Sequence, residues 1–182
     1  MIKKQSKNLK SQAMCLSIAL LYVFLTVSSA MCVEDLSEER KAMIEEQIKE
    51  RGVTDPRILD AMQSVKRHLF VPQNIQNLAY TDRPLPIGRD QTISQPYIVA
   101  FMTDAAQLQP SDKILEVGTG SGYQAAILSH LVKEVYTIEI IEELAKQARQ
   151  RLEKLGYDNV EVKWGDGYAG WEEHAPYDAI II

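Results

Sequence analysis

Cysteine is almost missing from this chain of 182 residues: there are two, Cys15 and Cys32, both near the N-terminus. A disulfide framework or a cysteine-rich metal site therefore does not hold the folded part together. Histidine is scarce as well, and His68, His130 and His174 show no ligand spacing, so no metal is expected. Excess positive charge is also lacking, since 20 basic side chains face 25 acidic ones, a net charge of −5. That balance argues against a nucleic-acid partner, whose phosphates require a basic surface. No Ser/His/Asp or Cys/His set stands out for nucleophilic catalysis. The apolar stretch at residues 13–27 is short for a membrane span.

What is present at the N-terminus has the order of an export signal. Lys3, Lys4, Lys7 and Lys10 precede the apolar stretch, and Ser28-Ser29-Ala30 offers small residues before a cut. The expectation is a signal peptide over residues 1–30 and an exported, periplasmic product, with an uncleaved anchor or a cytoplasmic protein as the alternatives. Without those residues the chain keeps 16 basic and 25 acidic side chains, a net −9. A monomer is expected.

From residue 31 to about 110 the pattern is helical, with a proline-rich interruption. Residues 37–51 read as a helix that Gly52 ends. Thr54-Asp55-Pro56 reads as a helix start, a capping side chain followed by proline, with Ile58, Leu59, Met62 and Val65 at helical spacing after it. Arg83-Pro84-Leu85-Pro86-Ile87-Gly88 reads as loop with at most a short extended piece. A further helix is expected over 96–108.

From residue 111 to 182 the texture changes to strand alternating with helix. Strands are expected at 113–117, 134–138, 160–163 and 178–182, and helices at 123–131 and 141–155. In the second helix Ile141, Leu144, Ala145, Ala148, Leu152 and Leu155 share one face at the 3.6-residue period. Such alternation implies βαβ units and a parallel sheet, an α/β fold with N-terminal helices. A last strand with no helix after it suggests that the C-terminal part of the sheet is missing, hence a truncated chain or fragment.

Gly118-Thr119-Gly120-Ser121-Gly122 follows a strand and opens a helix, where ligands of open α/β sheets bind. Glycines there permit positive φ and close approach of a ligand. The spacing is G-x-G-x-G, not the dinucleotide G-x-G-x-x-G, and Glu116 stands just before it. An acid beside the loop suits a ligand with ammonium and sulfonium charge better than a pyrophosphate. The expectation is therefore a Rossmann-like, S-adenosylmethionine-dependent methyltransferase fold, with Glu116, Gly118, Gly120 and Gly122 at the cofactor. Glu139, at the end of the second strand, is placed for ribose hydroxyls. Asp166 and Gly167, after the third strand, are placed for the adenine. Each acid taken singly also fits a solvated loop carboxylate.

Gln91-Thr92-Ile93-Ser94-Gln95-Pro96-Tyr97, followed by Leu115-Glu116-Val117-Gly118-Thr119-Gly120-Ser121-Gly122-Tyr123, resembles the bacterial type of protein-L-isoaspartate (D-aspartate) O-methyltransferase. Supporting stretches are Arg67-His68-Leu69-Phe70-Val71-Pro72, Leu85-Pro86-Ile87-Gly88, Gly165-Asp166-Gly167 and Ala175-Pro176-Tyr177-Asp178-Ala179-Ile180-Ile181. The resemblance covers residues 38–182. It implies methyl transfer to the free carboxylate of isoaspartyl residues in damaged proteins and peptides, the first step of their repair. It also implies Ser94 as the active-site residue, with Thr92, Ile93 and Gln95 at the same pocket through their backbone. Tyr97 and Val99 stand where some members carry histidine. On the residues alone, Ser94 also fits a cap or turn role before Pro96. Trp164 and Trp171 are expected in core or edge packing. A small-molecule methyltransferase on the same fold, or a cofactor-binding fragment without catalysis, remain open readings; an NAD-dependent oxidoreductase would need the spacing that this loop lacks.

Overall fold

The parallel sheet is set by short apolar strands whose carboxyl ends face one side. A computed structural model of the protein describes residues 36–182; the signal-like residues 1–30 lie outside the described residues. Strands β3 (Lys113–Val117), β4 (Glu134–Glu139), β5 (Val160–Trp164) and β6 (Ala179–Ile181) form a four-stranded parallel sheet in the order β5-β4-β3-β6. Ile114, Val135, Val162 and Ile181 point into the main core, under the helices α4 (Tyr123–Ser129) and α5 (Glu142–Leu155). On the other face Leu115 and Ile138 pack with Trp171, flanked by Val117, Tyr136 and Tyr177. Trp171 is thus a core residue, as expected, while Trp164 is 57% exposed at the end of β5.

Helices close the amino-terminal side of the fold. The first, α1 (Ser37–Ala42), runs on as a wider π-helical turn, Met43–Ile48, and a 3-10 turn, Lys49–Arg51. The reading of 37–51 as one helical stretch holds, although its turns are not uniform. Met43, Ile44 and Ile48 form its buried side, and Gly52 ends it at φ +99°. Asp55 caps α2 (Pro56–Ser64), accepting the Arg57 backbone N–H at 2.8 Å, with proline at the first turn. The third helix, α3 (Pro96–Ala105), stops three residues before the expected Leu108, because Gln107 turns to φ +50°.

Two expectations need adjustment. The short extended piece expected within residues 83–88 is β1 (Leu85–Gly88), and it pairs antiparallel with β2 (Gln91–Ile93), a pairing not expected. The turn between them is two residues, Arg89 and Asp90, both at positive φ. Such turns match strand twist, but they usually announce themselves with Asn-Gly or Asp-Gly. In addition, Leu155 does not belong to the buried face of α5. It is the last helical residue and is 36% exposed, whereas Leu152, three residues earlier, is 1% exposed. Ile141 lies just outside that helix in an extended conformation. At the sheet's edge Ile180 and Ile182 are exposed. Among the described residues no helix is long and apolar enough to cross a membrane.

The α5 contrast is testable. Leu152→Ala is expected to lower unfolding free energy by about 2–5 kcal/mol, the usual cost of emptying a packed core site. Leu155→Ala is expected to change it by about 0.5 kcal/mol. Urea unfolding of both variants measures the difference, and equal losses would contradict the placement of Leu155.

Candidate functional site

The glycine loop is held open by its own backbone geometry. Gly118, Gly120 and Gly122 have φ of +95°, +53° and +86°, a region that disfavours any residue with a Cβ. Space differs among them. A Cβ on Gly118 would meet nothing within 4 Å, but one on Gly122 would stand 3.1 Å from Leu152 Cδ1. The first glycine therefore leaves room above the sheet, and the third seats α4 against α5.

Several hydrogen bonds fix this loop to the neighbouring strand. The Gly118 and Thr119 N–H groups both donate to the Ile138 carbonyl, at 2.8 and 3.3 Å. The Thr119 and Thr137 hydroxyls lie 2.6 Å apart. Glu139 Oε2 accepts from the Gly120 N–H at 2.8 Å, and its Oε1 accepts from the Ile141 N–H at 2.9 Å. Glu139 is buried and joins the glycine loop to the start of α5. Each of its oxygens keeps a second lone pair for a ligand hydroxyl.

A cleft opens where this loop meets the end of β2. Its walls are Thr92, Ile93, Ser94, Val99, Glu116, Tyr123, Gln124 and the loop from Gly118 to Ser121. Glu116 is 3% exposed, and its Oε2 has no hydrogen-bond partner. Burial pushes its pKa up to about 8; the Thr137 hydroxyl opposes this and the negative charge of Glu139 adds to it. A buried carboxyl left with a bare oxygen is costly unless a donor or cation meets it. The site therefore fits an ammonium-bearing ligand.

Most of the expected site residues gather here. Thr92, Ile93, Ser94, Glu116, Gly118 and Gly120 line the one cleft, whereas Gly122 shapes it from behind. Gln95 does not line it: its amide donates to Asp82 Oδ1 at 2.7 Å. Tyr97 also looks elsewhere, with the Arg51 guanidinium 3.4 Å from its ring centre. Ser94 is exposed on the cleft wall. The cap reading of Ser94 fails, because Gln95 is the N-cap of α3 and no side chain makes a capping bond there. Asp166 and Gly167 stand apart, beyond β5. Asp166 is exposed and accepts the Tyr168 N–H at 2.9 Å. A Cβ on Gly167 would lie 2.3 Å from Val117 Cγ1, so only glycine lets this loop approach the end of β3.

The sequence reading missed three polar residues. Thr137 is fully buried beneath Glu116. Gln124 donates to Thr103 Oγ1 at 2.9 Å, while its Oε1 is buried on the cleft wall without a partner. Arg67 is fully buried behind Ser94, and its Nη2 donates to the Ser94 carbonyl at 2.7 Å. Only Arg67 had a signal, a cation two residues before the apolar Leu69-Phe70-Val71. Among the described residues no cluster of His, Cys, Asp and Glu could hold a metal ion.

The raised pKa of Glu116 has a sign that can be checked. Between its ordinary value of 4.5 and about 8, the folded protein keeps a proton that the unfolded chain has lost. Its contribution to stability is full at low pH and is lost as pH rises through that window. Glu116→Gln is expected to flatten the fall in stability and to exceed the parent protein at alkaline pH. Urea midpoints across the window measure this, and parallel profiles would refute the assignment.

Comparison with known proteins agrees with this geometry. The family model described as Protein-L-isoaspartate(D-aspartate) O-methyltransferase matches residues 38–182. A protein-L-isoaspartate O-methyltransferase of Picosynechococcus sp. is 60% identical over 151 residues, 83% of this chain and 68% of that protein. One from a Synechococcus strain is 58% identical over 149 residues, 82% of this chain and 61% of that protein. The chain thus spans roughly two thirds of the length of these curated relatives. A solved protein-L-isoaspartate O-methyltransferase superposes with a TM-score of 0.71 at 30% identity, covering 78% of this chain and 47% of that one. A Plasmodium falciparum structure, titled as a putative member in complex with S-adenosyl-L-homocysteine, superposes with a TM-score of 0.65 at 24% identity, covering 78% and 71%, and shares the fold. The fold is that of the Rossmann-like methyltransferases, and the chain belongs to the protein-L-isoaspartate(D-aspartate) O-methyltransferase family.

Proposed function

We propose that the protein transfers a methyl group from S-adenosylmethionine to the free carboxylate of isoaspartyl, and D-aspartyl, residues in damaged proteins and peptides. The observation that carries this reading is the cleft itself. A buried acid with a bare oxygen, Glu116, stands under a glycine loop with open space at Gly118, and Ser94 forms the facing wall. The family relationship supports the same donor and the same class of acceptor.

Glu116 would hold the ammonium end of the cofactor, and Glu139 the ribose hydroxyls with its remaining lone pairs. Asp166 and Gly167 would meet the adenine at the far end. When bound, S-adenosylmethionine supplies an electrophilic methyl on a sulfonium. The acceptor is a carboxylate, with an ordinary pKa near ~4, so it arrives ionised at neutral pH and needs no general base. What the chain's own residues must do is place that oxygen in line and exclude water. Ser94 is assigned the acceptor carboxylate, through its hydroxyl.

The same proposal includes export directed by residues 1–30, on the order of their basic, apolar and small residues, and action as a monomer. Cell fractionation and the solution mass address these two points.

A radiolabelled-methyl assay on an isoaspartyl peptide tests the reaction, using the aspartyl peptide as control. Label on the isoaspartyl peptide alone is expected; none on either would sink the repair reading. Ser94→Ala is expected to lower kcat roughly tenfold or more, the scale seen when a positioning hydrogen bond is lost, with S-adenosylhomocysteine affinity little changed. An unaltered kcat would remove Ser94 from the chemistry.

A further inference from the structure

The cleft's outer wall hangs from a cation that the reaction does not use. Arg67 opens the 3-10 turn Arg67–Phe70 and has no exposed surface. Its Nε donates to the Ala79 carbonyl at 2.7 Å, and its Nη2 donates to the Ser94 carbonyl at 2.7 Å. Its guanidinium carbon lies 4.8 Å from the centre of the Tyr123 ring. Tyr123 is the first residue of α4, directly after Gly122 of the glycine loop. Phe70, from the same turn as Arg67, meets that ring edge-on at a centroid distance of 5.5 Å. One buried cation thus touches the loop that bears Ser94 and the helix that continues the glycine loop.

Burying a guanidinium is expensive, and a guanidinium stays protonated in proteins. Its fork geometry serves two separate carbonyls at once, which an ammonium cannot reproduce. A core that needed only volume would be filled more cheaply by methionine or leucine. Neither carbonyl partner belongs to a helix, and Ser94 lies just past the β1–β2 ladder, which ends at Ile93. We propose that Arg67 is a positioning residue, which sets the Ser94 loop against the glycine loop so that acceptor and methyl donor meet at reacting distance. The inference rests on the function proposed above, since it assigns Ser94 the acceptor side.

The role is one of distance, so its loss appears in kcat more than in cofactor affinity. In the full chain, Arg67→Met is expected to lower kcat on an isoaspartyl peptide roughly ten- to a hundredfold, the scale of an ångström-sized misplacement. Arg67→Lys, which keeps the charge and part of the hydrogen bonding, is expected to recover part of that loss. In both variants S-adenosylhomocysteine affinity stays within about twofold, a change no larger than the loss of a weak contact. A second arm separates positioning from bulk stability. In a Ser94→Ala background Arg67→Lys should cause no further loss of kcat, because the two residues act as one unit.

A third arm does not depend on activity. Amide hydrogen exchange at residues 92–95 should speed up in Arg67→Lys, while the amides of β4 keep their protection. Arg67→Lys carries the test if Arg67→Met fails to fold. Additive losses of kcat with Ser94→Ala, unchanged exchange at 92–95, or a loss confined to cofactor affinity would each overturn the proposal. A parent protein that labels no isoaspartyl peptide would refute the repair reading instead, and the exchange measurement would still decide the role of Arg67.

Discussion

A single buried carboxylate organises the carboxyl edge of the sheet. Glu139 ends β4 and receives the N–H groups of Gly120 and Ile141, one on each oxygen. The first of these belongs to the glycine loop after β3, the second to the entry of α5. Two loops that would otherwise be independent are therefore tied to one strand end. With Gly118 and Thr119 donating to the carbonyl of Ile138, the loop is drawn down over β4, not out into solvent. Removing that carboxylate would leave two half-buried N–H groups without their partner in the protein and would untie the two loops from the strand end. The positive φ values of the three glycines are the backbone's answer to this constraint.

Glu116 and Glu139 occupy the same face of neighbouring strands and meet opposite fates. Both are almost fully buried. Glu139 is satisfied by backbone donors, one on each oxygen. Glu116 has the Thr137 hydroxyl on its side but one bare oxygen, and burial raises its pKa to about 8. At neutral pH such an acid is mostly protonated. A cation seated beside it reverses the balance and draws the proton off. The site is thus closer to neutral in both conditions than a count of its acids suggests, which matters for a reaction whose acceptor is itself an anion.

The sheet was the most legible part of the chain. Short apolar strands alternating with helices admit few topologies, and β3 through β6 fall within a residue or two of expectation. The hairpin of β1 and β2 was hidden by its prolines and by a turn of Arg89 and Asp90, residues that seldom take positive φ. Leu155 was misplaced because the 3.6-residue period continues to the end of α5, while the core beneath it does not. In the site, Glu116, Ser94 and the glycines were legible because loop position and family likeness agree. Gln95 shared the motif but not the cleft, since its amide is engaged by Asp82 thirteen residues away. Thr137 and Gln124 were illegible for a different reason. Nothing in the pattern of α4 or β4 singles them out, and only the packed structure places Gln124 on the cleft wall and Thr137 beneath Glu116.

What the proposed chemistry asks of this scaffold explains where its costs are spent. An ionised acceptor needs no proton removed, and a sulfonium donor needs no leaving group protonated. The barrier is then lowered mainly by placement, and a misplacement of about 1 Å is enough to cost a hundredfold. A protein under that demand gains little from tunable acids and bases in the cleft and much from parts that cannot shift. Gly167 against Val117 is one such part, a fit that no Cβ would allow. Gly122 against Leu152 is another. Arg67 is the third and the most expensive, a charge kept out of water so that two carbonyls from different segments stay at hydrogen-bond length. A softer residue there would fill the same volume, but it would leave the loop bearing Ser94 free to drift by the distance on which the reaction depends.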